Sequence, residues 1–168
     1  ITIDAQDLQN LNCDNPENFC FTHYGPKNQD KPTNQDFALS GHLQGQKGDI
    51  SKFCILADGI SNGFGFAQRG AQLSCFAAYE CIKELHAELD GSGQILTEAD
   101  VDAFRNDLAR KINGFLETDH DHLMSYYDTQ NLEPVSIASK VWHKNFKSKP
   151  EKWYGNTLVI SFLSPFGG

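Results

Sequence analysis

The fold is decided by residues 53–63, whose sequence is Phe-Cys-Ile-Leu-Ala-Asp-Gly-Ile-Ser-Asn-Gly. A short apolar run that ends in turn-forming residues is typical of a buried strand. Asp58 closes this run, so we expect its carboxylate at the end of a strand. Gly59 follows it and lets a ligand approach the backbone closely. A carboxylate fixed on a rigid strand end is a suitable ligand for a hard cation.

The composition limits the class of protein. The chain has 168 residues, of which 39% are hydrophobic and 21% charged, as is ordinary for one soluble domain with a core. No apolar run is long enough to cross a bilayer. The net charge of -8 argues against a nucleic-acid or anionic-membrane binder, because such proteins need an excess of Lys and Arg. The 5 cysteines form no Cys-x-x-Cys pair, which favours thiols in a reducing, cytoplasmic setting.

The order of the predicted elements is strands, then helices, then a strand. Residues 1–18 are a polar lead-in, and a Gly-rich turn at 45–48 joins two strands into a hairpin. Helical spacing of small and apolar residues predicts one helix from Ala67 to Leu89 and a second from Thr97 to Leu123. Strands are predicted at residues 19–24, 36–43, 53–58 and 158–163. This order predicts an α+β domain with helices on one face of an antiparallel sheet.

Asp36 is expected to lie beside Asp58. Asp36 opens one strand of the predicted hairpin and Asp58 closes the next, and in an antiparallel pair these two ends are neighbours. Two adjacent carboxylates favour Mg²⁺ or Mn²⁺, which bind carboxylate, carbonyl and water oxygens. The alternative is that each aspartate only caps a turn, as Asp often does.

Four motifs resemble those of the bacterial type 2C, metal-dependent serine/threonine protein phosphatases. Residues 31–36, Lys-Pro-Thr-Asn-Gln-Asp, resemble the family's Arg-x-x-Asn-Glu/Gln-Asp opening. Residues 55–61 resemble its apolar strand with Asp-Gly-Met-Gly. Residues 65–71 are similar to the Gly-Glu-x-Ala-Ser start of its first long helix, and residues 155–159 to its Gly-Thr-Thr-Ala strand. The motifs occur in the family's order, and the resemblance spans residues 19–163.

The resemblance implies a fold and a site. The fold would be a four-layer α-β-β-α sandwich of antiparallel sheets flanked by helices, of which residues 1–168 form a single, truncated domain. The site would hold two Mg²⁺ or Mn²⁺ ions, with Asp36 on one ion, Asp58 shared by both and Gly59 offering its backbone carbonyl. Lys31 would bind the substrate phosphate. The implied reaction is hydrolysis of phosphoserine or phosphothreonine on a protein by metal-activated water, without a covalent enzyme nucleophile.

The chain departs from the family at three points. Lys31 stands where Arg is common, and Lys lacks the fork that pairs two phosphate oxygens. Residues 60–63 replace a more glycine-rich turn. The sequence ends at Gly168, before the later aspartate motifs that complete the family's metal site. We therefore expect the N-terminal part of a longer phosphatase, with little activity of its own. The alternatives are a phosphatase-like binding or regulatory module without catalysis and an unrelated α+β metal-binding domain.

Three further segments carry charged or metal-binding residue types. Residues 119–122, Asp-His-Asp-His, could bind a metal only in an extended loop, because adjacent positions on a helix do not face each other. Residues 84–128 hold most of the acidic excess and are interpreted as a solvated face. Lysine-rich residues 140–152 could contact an acidic partner, although such runs are commonly solvated surface.

Overall fold

The computed structural model describes residues 35–60, 67–129 and 154–165, with side chains up to residue 125 in the second range. The elements in these ranges are, in chain order, β1 (Phe37–Gln44), β2 (Ile50–Gly59), α1 (Ala67–Ser92), α2 (Glu98–Thr129) and β3 (Asn156–Leu163). The strands form one antiparallel sheet of order β1-β2-β3. The predicted α+β class is confirmed. The strand predicted at residues 19–24 lies outside the described residues.

The predicted hairpin is formed by β1 and β2. Its ladder runs from the pair Phe37 and Ala57 to the pair Gln44 and Ile50. The connecting turn includes Gly48, whose φ of 86° lies in the left-handed region that glycine adopts without strain. The apolar run that ends at Asp58 therefore becomes the central strand of the sheet.

The two faces of β2 differ in burial. Alternate residues of a strand point to opposite faces of the sheet. One face carries buried residues, namely Ser51, Phe53, Ile55, Ala57 and Gly59. The other carries the exposed residues Lys52, Leu56 and Asp58, together with half-buried Cys54. The candidate carboxylate is thus on the face of the sheet away from the core.

Helix α1 covers the buried face of the sheet. Its small residues recur every three or four positions, and this lets a helix backbone approach a sheet closely. The prediction of a helix on one face of an antiparallel sheet is confirmed. The shared core consists of Leu39, Phe53, Ile55, Ala57, Ala71, Cys75, Ala78 and Ile82.

Helix α2 packs against α1 and begins with a capping arrangement of Thr97 and Asp100. The Thr97 hydroxyl and backbone N both donate to the Asp100 carboxylate at 2.7 Å, and the Asp100 backbone N donates to the Thr97 hydroxyl at 3.3 Å. These hydrogen bonds, above all the one from the hydroxyl, hold the pKa of Asp100 below its usual value. In the described ranges neither helix combines the length and the apolar character that crossing a membrane requires.

Candidate metal centre

The sheet brings Asp36 and Asp58 to the same end of β1 and β2. The last pair of their ladder joins Phe37 to Ala57. Asp36 directly precedes Phe37 and Asp58 directly follows Ala57, so the register continued by one residue places the two aspartates opposite each other. Opposed residues have Cβ atoms about 4.5–5.5 Å apart. Alternation places both side chains on the face away from α1, with Asp58 exposed and Asp36 half-buried.

Gly59 is buried between two backbone segments. A Cβ atom at this position would lie 2.5 Å from the Gln35 carbonyl oxygen and 3.0 Å from that of Ala67. Only glycine lets the chain before β1 and the first residue of α1 come this close. Backbone packing therefore requires Gly59 whether or not a ligand is bound. Its role as a metal ligand stays a prediction, and Lys31 lies outside the described residues.

The oxygen atoms at this end of the sheet are of the type that binds hard divalent cations. Asp36 and Asp58 offer carboxylate oxygens and Gly59 a backbone carbonyl, and Mg²⁺ and Mn²⁺ prefer such oxygen ligands. Within the part of the chain that the structure describes, no group of three or more His, Cys, Asp or Glu residues could hold a metal ion. An ion bound here thus needs water or further protein ligands in addition to these two carboxylates.

A second polar cluster joins α1, α2 and Tyr154, which lies two residues before the start of β3. Asp119 of α2 is 5% exposed, and its carboxylate accepts hydrogen bonds from Arg69 Nε at 2.6 Å and from the Tyr154 hydroxyl at 3.0 Å. The hydrogen bond to Asp119 raises the pKa of Arg69. Burial, followed by the negative charge of Asp119, raises the pKa of the Tyr154 hydroxyl. These interactions fix the relative positions of three segments.

Residues 119–122 do not form the extended loop that a metal site would need there. They are helical and belong to α2.

The interpretation of residues 84–128 as a solvated face is wrong at Asp119, which is buried. Asp119 lies four residues after Phe115 and four before Leu123, both of which pack into the small core cluster around Tyr154. Asp119 thus occupies the helix face that also carries the apolar residues Phe115 and Leu123. An acidic residue on such a face indicates in the sequence that its carboxylate is buried and has a polar partner.

The start of β3 is held at the end of the sheet that carries Asp58. A Cβ atom on Gly70 of α1 would lie 2.1 Å from the Tyr154 carbonyl oxygen, so the helix and this segment are in direct backbone contact. The Asn156 side-chain amide donates to that carbonyl and to the Ser74 hydroxyl, both at 3.0 Å. The Asp119 cluster therefore supports the strand that lies next to the candidate site.

The described cysteines are thiols rather than disulfides. Cys75 and Cys81 are buried on α1, as expected for small core residues, and Cys54 is half-buried on β2. Burial raises the pKa of the Cys81 thiol to about 11. This thiol consequently remains protonated at neutral pH and is a poor nucleophile.

Comparisons of the chain with protein-family models, with curated proteins and with solved structures find no match. A functional interpretation therefore depends on the placement of Asp36 and Asp58 and on the motifs of the sequence itself.

Proposed function

We propose that this chain is part of a metal-dependent serine/threonine protein phosphatase domain of the type 2C kind, acting in the cytoplasm on phosphorylated proteins. The observation that carries the proposal is the placement of Asp36 and Asp58 at one end of adjacent strands, on the outward face of the sheet. The resemblance of the four sequence motifs to the type 2C family supports the proposal, because it implies that the same two aspartates bind the metal ions.

The proposed fold is a four-layer sandwich, in which β1, β2 and β3 belong to one of two sheets and α1 and α2 form a flanking layer. Among the described residues, α1 and α2 lie on one face of the sheet. The other face carries the apolar side chains of Leu56, Val159 and Leu163, which are 46%, 58% and 67% exposed. A second sheet packed on this face would remove that apolar surface from water, and this supports the sandwich.

In the proposed site Asp36 would hold one divalent cation, Asp58 would contribute to both, and the Gly59 carbonyl would be the further ligand from β2. Mg²⁺ or Mn²⁺ held there would supply an activated water molecule for attack on phosphorus. The two aspartates keep their carboxylates at a fixed spacing because both are attached to one antiparallel ladder. Their position at the end of the sheet leaves access for a phosphorylated side chain, whose phosphate Lys31 would bind.

Replacing Asp58 with asparagine is expected to abolish tight Mn²⁺ binding by the protein that contains this chain. The change keeps the shape of the side chain and removes the charge that both ions share. Even residues that only support a metal ligand contribute about 10–100-fold to affinity, so we expect a loss of at least about 100-fold. Isothermal titration calorimetry with Mn²⁺ measures this directly.

The matched control is Asp102→Asn, which removes a carboxylate that is 72% exposed on α2 and paired with Arg105. The control should bind Mn²⁺ as the wild-type protein does. Equal affinity of the wild-type protein and Asp58→Asn would show that Asp58 is not a metal ligand, and the proposed function would then fail.

A further inference from the structure

The residue opposite Asp58 on β3 is Thr157. The two are Cα partners in the β2–β3 ladder, and both are exposed. Directly opposed residues share a face of the sheet and have Cβ atoms about 4.5–5.5 Å apart. With Asp36 on the other side of Asp58, three oxygen-bearing side chains form a row across this end of the sheet.

The register that presents Thr157 to this row is fixed by its neighbours. Asn156 points to the opposite face, where its side-chain amide donates to the Ser74 hydroxyl at 3.0 Å. Next to this end of the ladder, the backbone N of Ile60, which follows β2, donates a hydrogen bond to the carbonyl of Gly155, which precedes β3, at 2.9 Å. A slip of one residue would exchange the two faces of β3, and these contacts would then be lost. The Thr157 side chain is consequently held on the face of the two aspartates.

A threonine hydroxyl can donate the hydrogen bond that a metal-binding carboxylate needs from a neighbouring group. Carboxylates that bind metals are themselves hydrogen-bonded, and these outer partners orient the ligand and tune its affinity. The hydroxyl can donate one hydrogen bond, and the β-branched side chain has few χ1 rotamers in a strand. The next residue on this face of β3 is Val159, which cannot donate. Thr157 is thus the donor that β3 places beside Asp58.

We propose that Thr157 is a positioning residue, whose hydroxyl donates a hydrogen bond to the Asp58 carboxylate when that carboxylate binds Mg²⁺ or Mn²⁺. The inference rests on the proposed metal-dependent function and adds a supporting residue to its site. Thr157 fixes the orientation of the shared aspartate without itself contacting the ion.

Mn²⁺ titrations of two Thr157 variants of the protein that contains this chain test this role. Thr157→Val keeps the branched shape and removes the hydroxyl, whereas Thr157→Ser keeps the hydroxyl. We expect the dissociation constant for Mn²⁺ to rise about 10-fold in Thr157→Val and to stay near the wild-type value in Thr157→Ser. The midpoint of urea unfolding should be the same in both variants as in the wild type, which separates a positioning role from a structural one.

The matched control is Ser161→Val, at an exposed position on the same face of β3 and about 13 Å further along the strand. It should leave Mn²⁺ affinity unchanged. Equal affinity of Thr157→Val and the wild type would overturn the proposal, as would an equal loss in Thr157→Val and Thr157→Ser. If the wild-type protein that contains this chain bound no Mn²⁺, the metal-dependent function itself would be overturned, and the role of Thr157 with it.

Discussion

Replacing Asp119 with alanine is expected to lower the free energy of unfolding by about 3 kcal/mol. The change removes the acceptor of the Tyr154 hydroxyl and the partner of the Arg69 guanidinium. Breaking a buried charged pair costs about 3–5 kcal/mol, because the remaining group is left buried without compensation. Arg69 is 52% exposed and can be hydrated, so the expected loss is at the lower end of that range and comes largely from Tyr154, which is 1% exposed.

Urea denaturation followed by circular dichroism measures this loss. The control is Asp121→Ala, two residues further along the same helix, where the carboxylate is 83% exposed. Exposed substitutions of this kind usually change stability by less than about 0.5 kcal/mol. Similar effects of the two substitutions would show that Asp119 is not the centre of a stabilising cluster.

Replacing Gly70 with alanine is expected to destabilise the protein by about 3 kcal/mol, although alanine is the better helix former by about 1 kcal/mol. The added Cβ atom would lie 2.1 Å from the Tyr154 carbonyl oxygen and 2.7 Å from the carbonyl carbon. Overpacking costs about 1–3 kcal/mol in general. We expect the upper end here because the obstacle is backbone, which cannot rotate away as a side chain does.

Gly114 of α2 is the matched control, because a Cβ atom there would meet nothing within 4 Å. Gly114→Ala should therefore stabilise the protein by up to about 1 kcal/mol through helix propensity alone. We expect the two glycine-to-alanine substitutions to change the free energy of unfolding in opposite directions in the same denaturation experiment. A gain in stability from both would mean that α1 does not approach the segment before β3 as closely as the structure shows.

Local patterns in the sequence predict much of this fold. The apolar run before Asp58 and the Gly-rich turn at residues 45–48 predict the hairpin, since both signals are contained within a few residues. The stripe of small residues from Ala67 onward likewise predicts a helix and the face that it buries. Because strand ends in a hairpin are neighbours, the adjacency of Asp36 and Asp58 also follows from local sequence.

Contacts between distant residues are the part that sequence patterns could not supply. The partners of Asp119 are 50 and 35 residues away from it, at Arg69 and Tyr154, and no periodicity links such positions. Gly59 shows a different difficulty. The sequence offers close approach of a ligand as the reason for this glycine, whereas the structure shows a packing reason, namely the carbonyl oxygens of Gln35 and Ala67.

Hydrolysis of an aryl phosphate is the decisive experiment for the proposed metal site. Para-nitrophenyl phosphate should be hydrolysed by the protein that contains this chain in the presence of Mn²⁺, and activity should disappear when the metal is removed with a chelator. We expect Asp58→Asn to lose this activity and Asp102→Asn to keep it. Metal-dependent hydrolysis that persists undiminished in Asp58→Asn would contradict the proposed site.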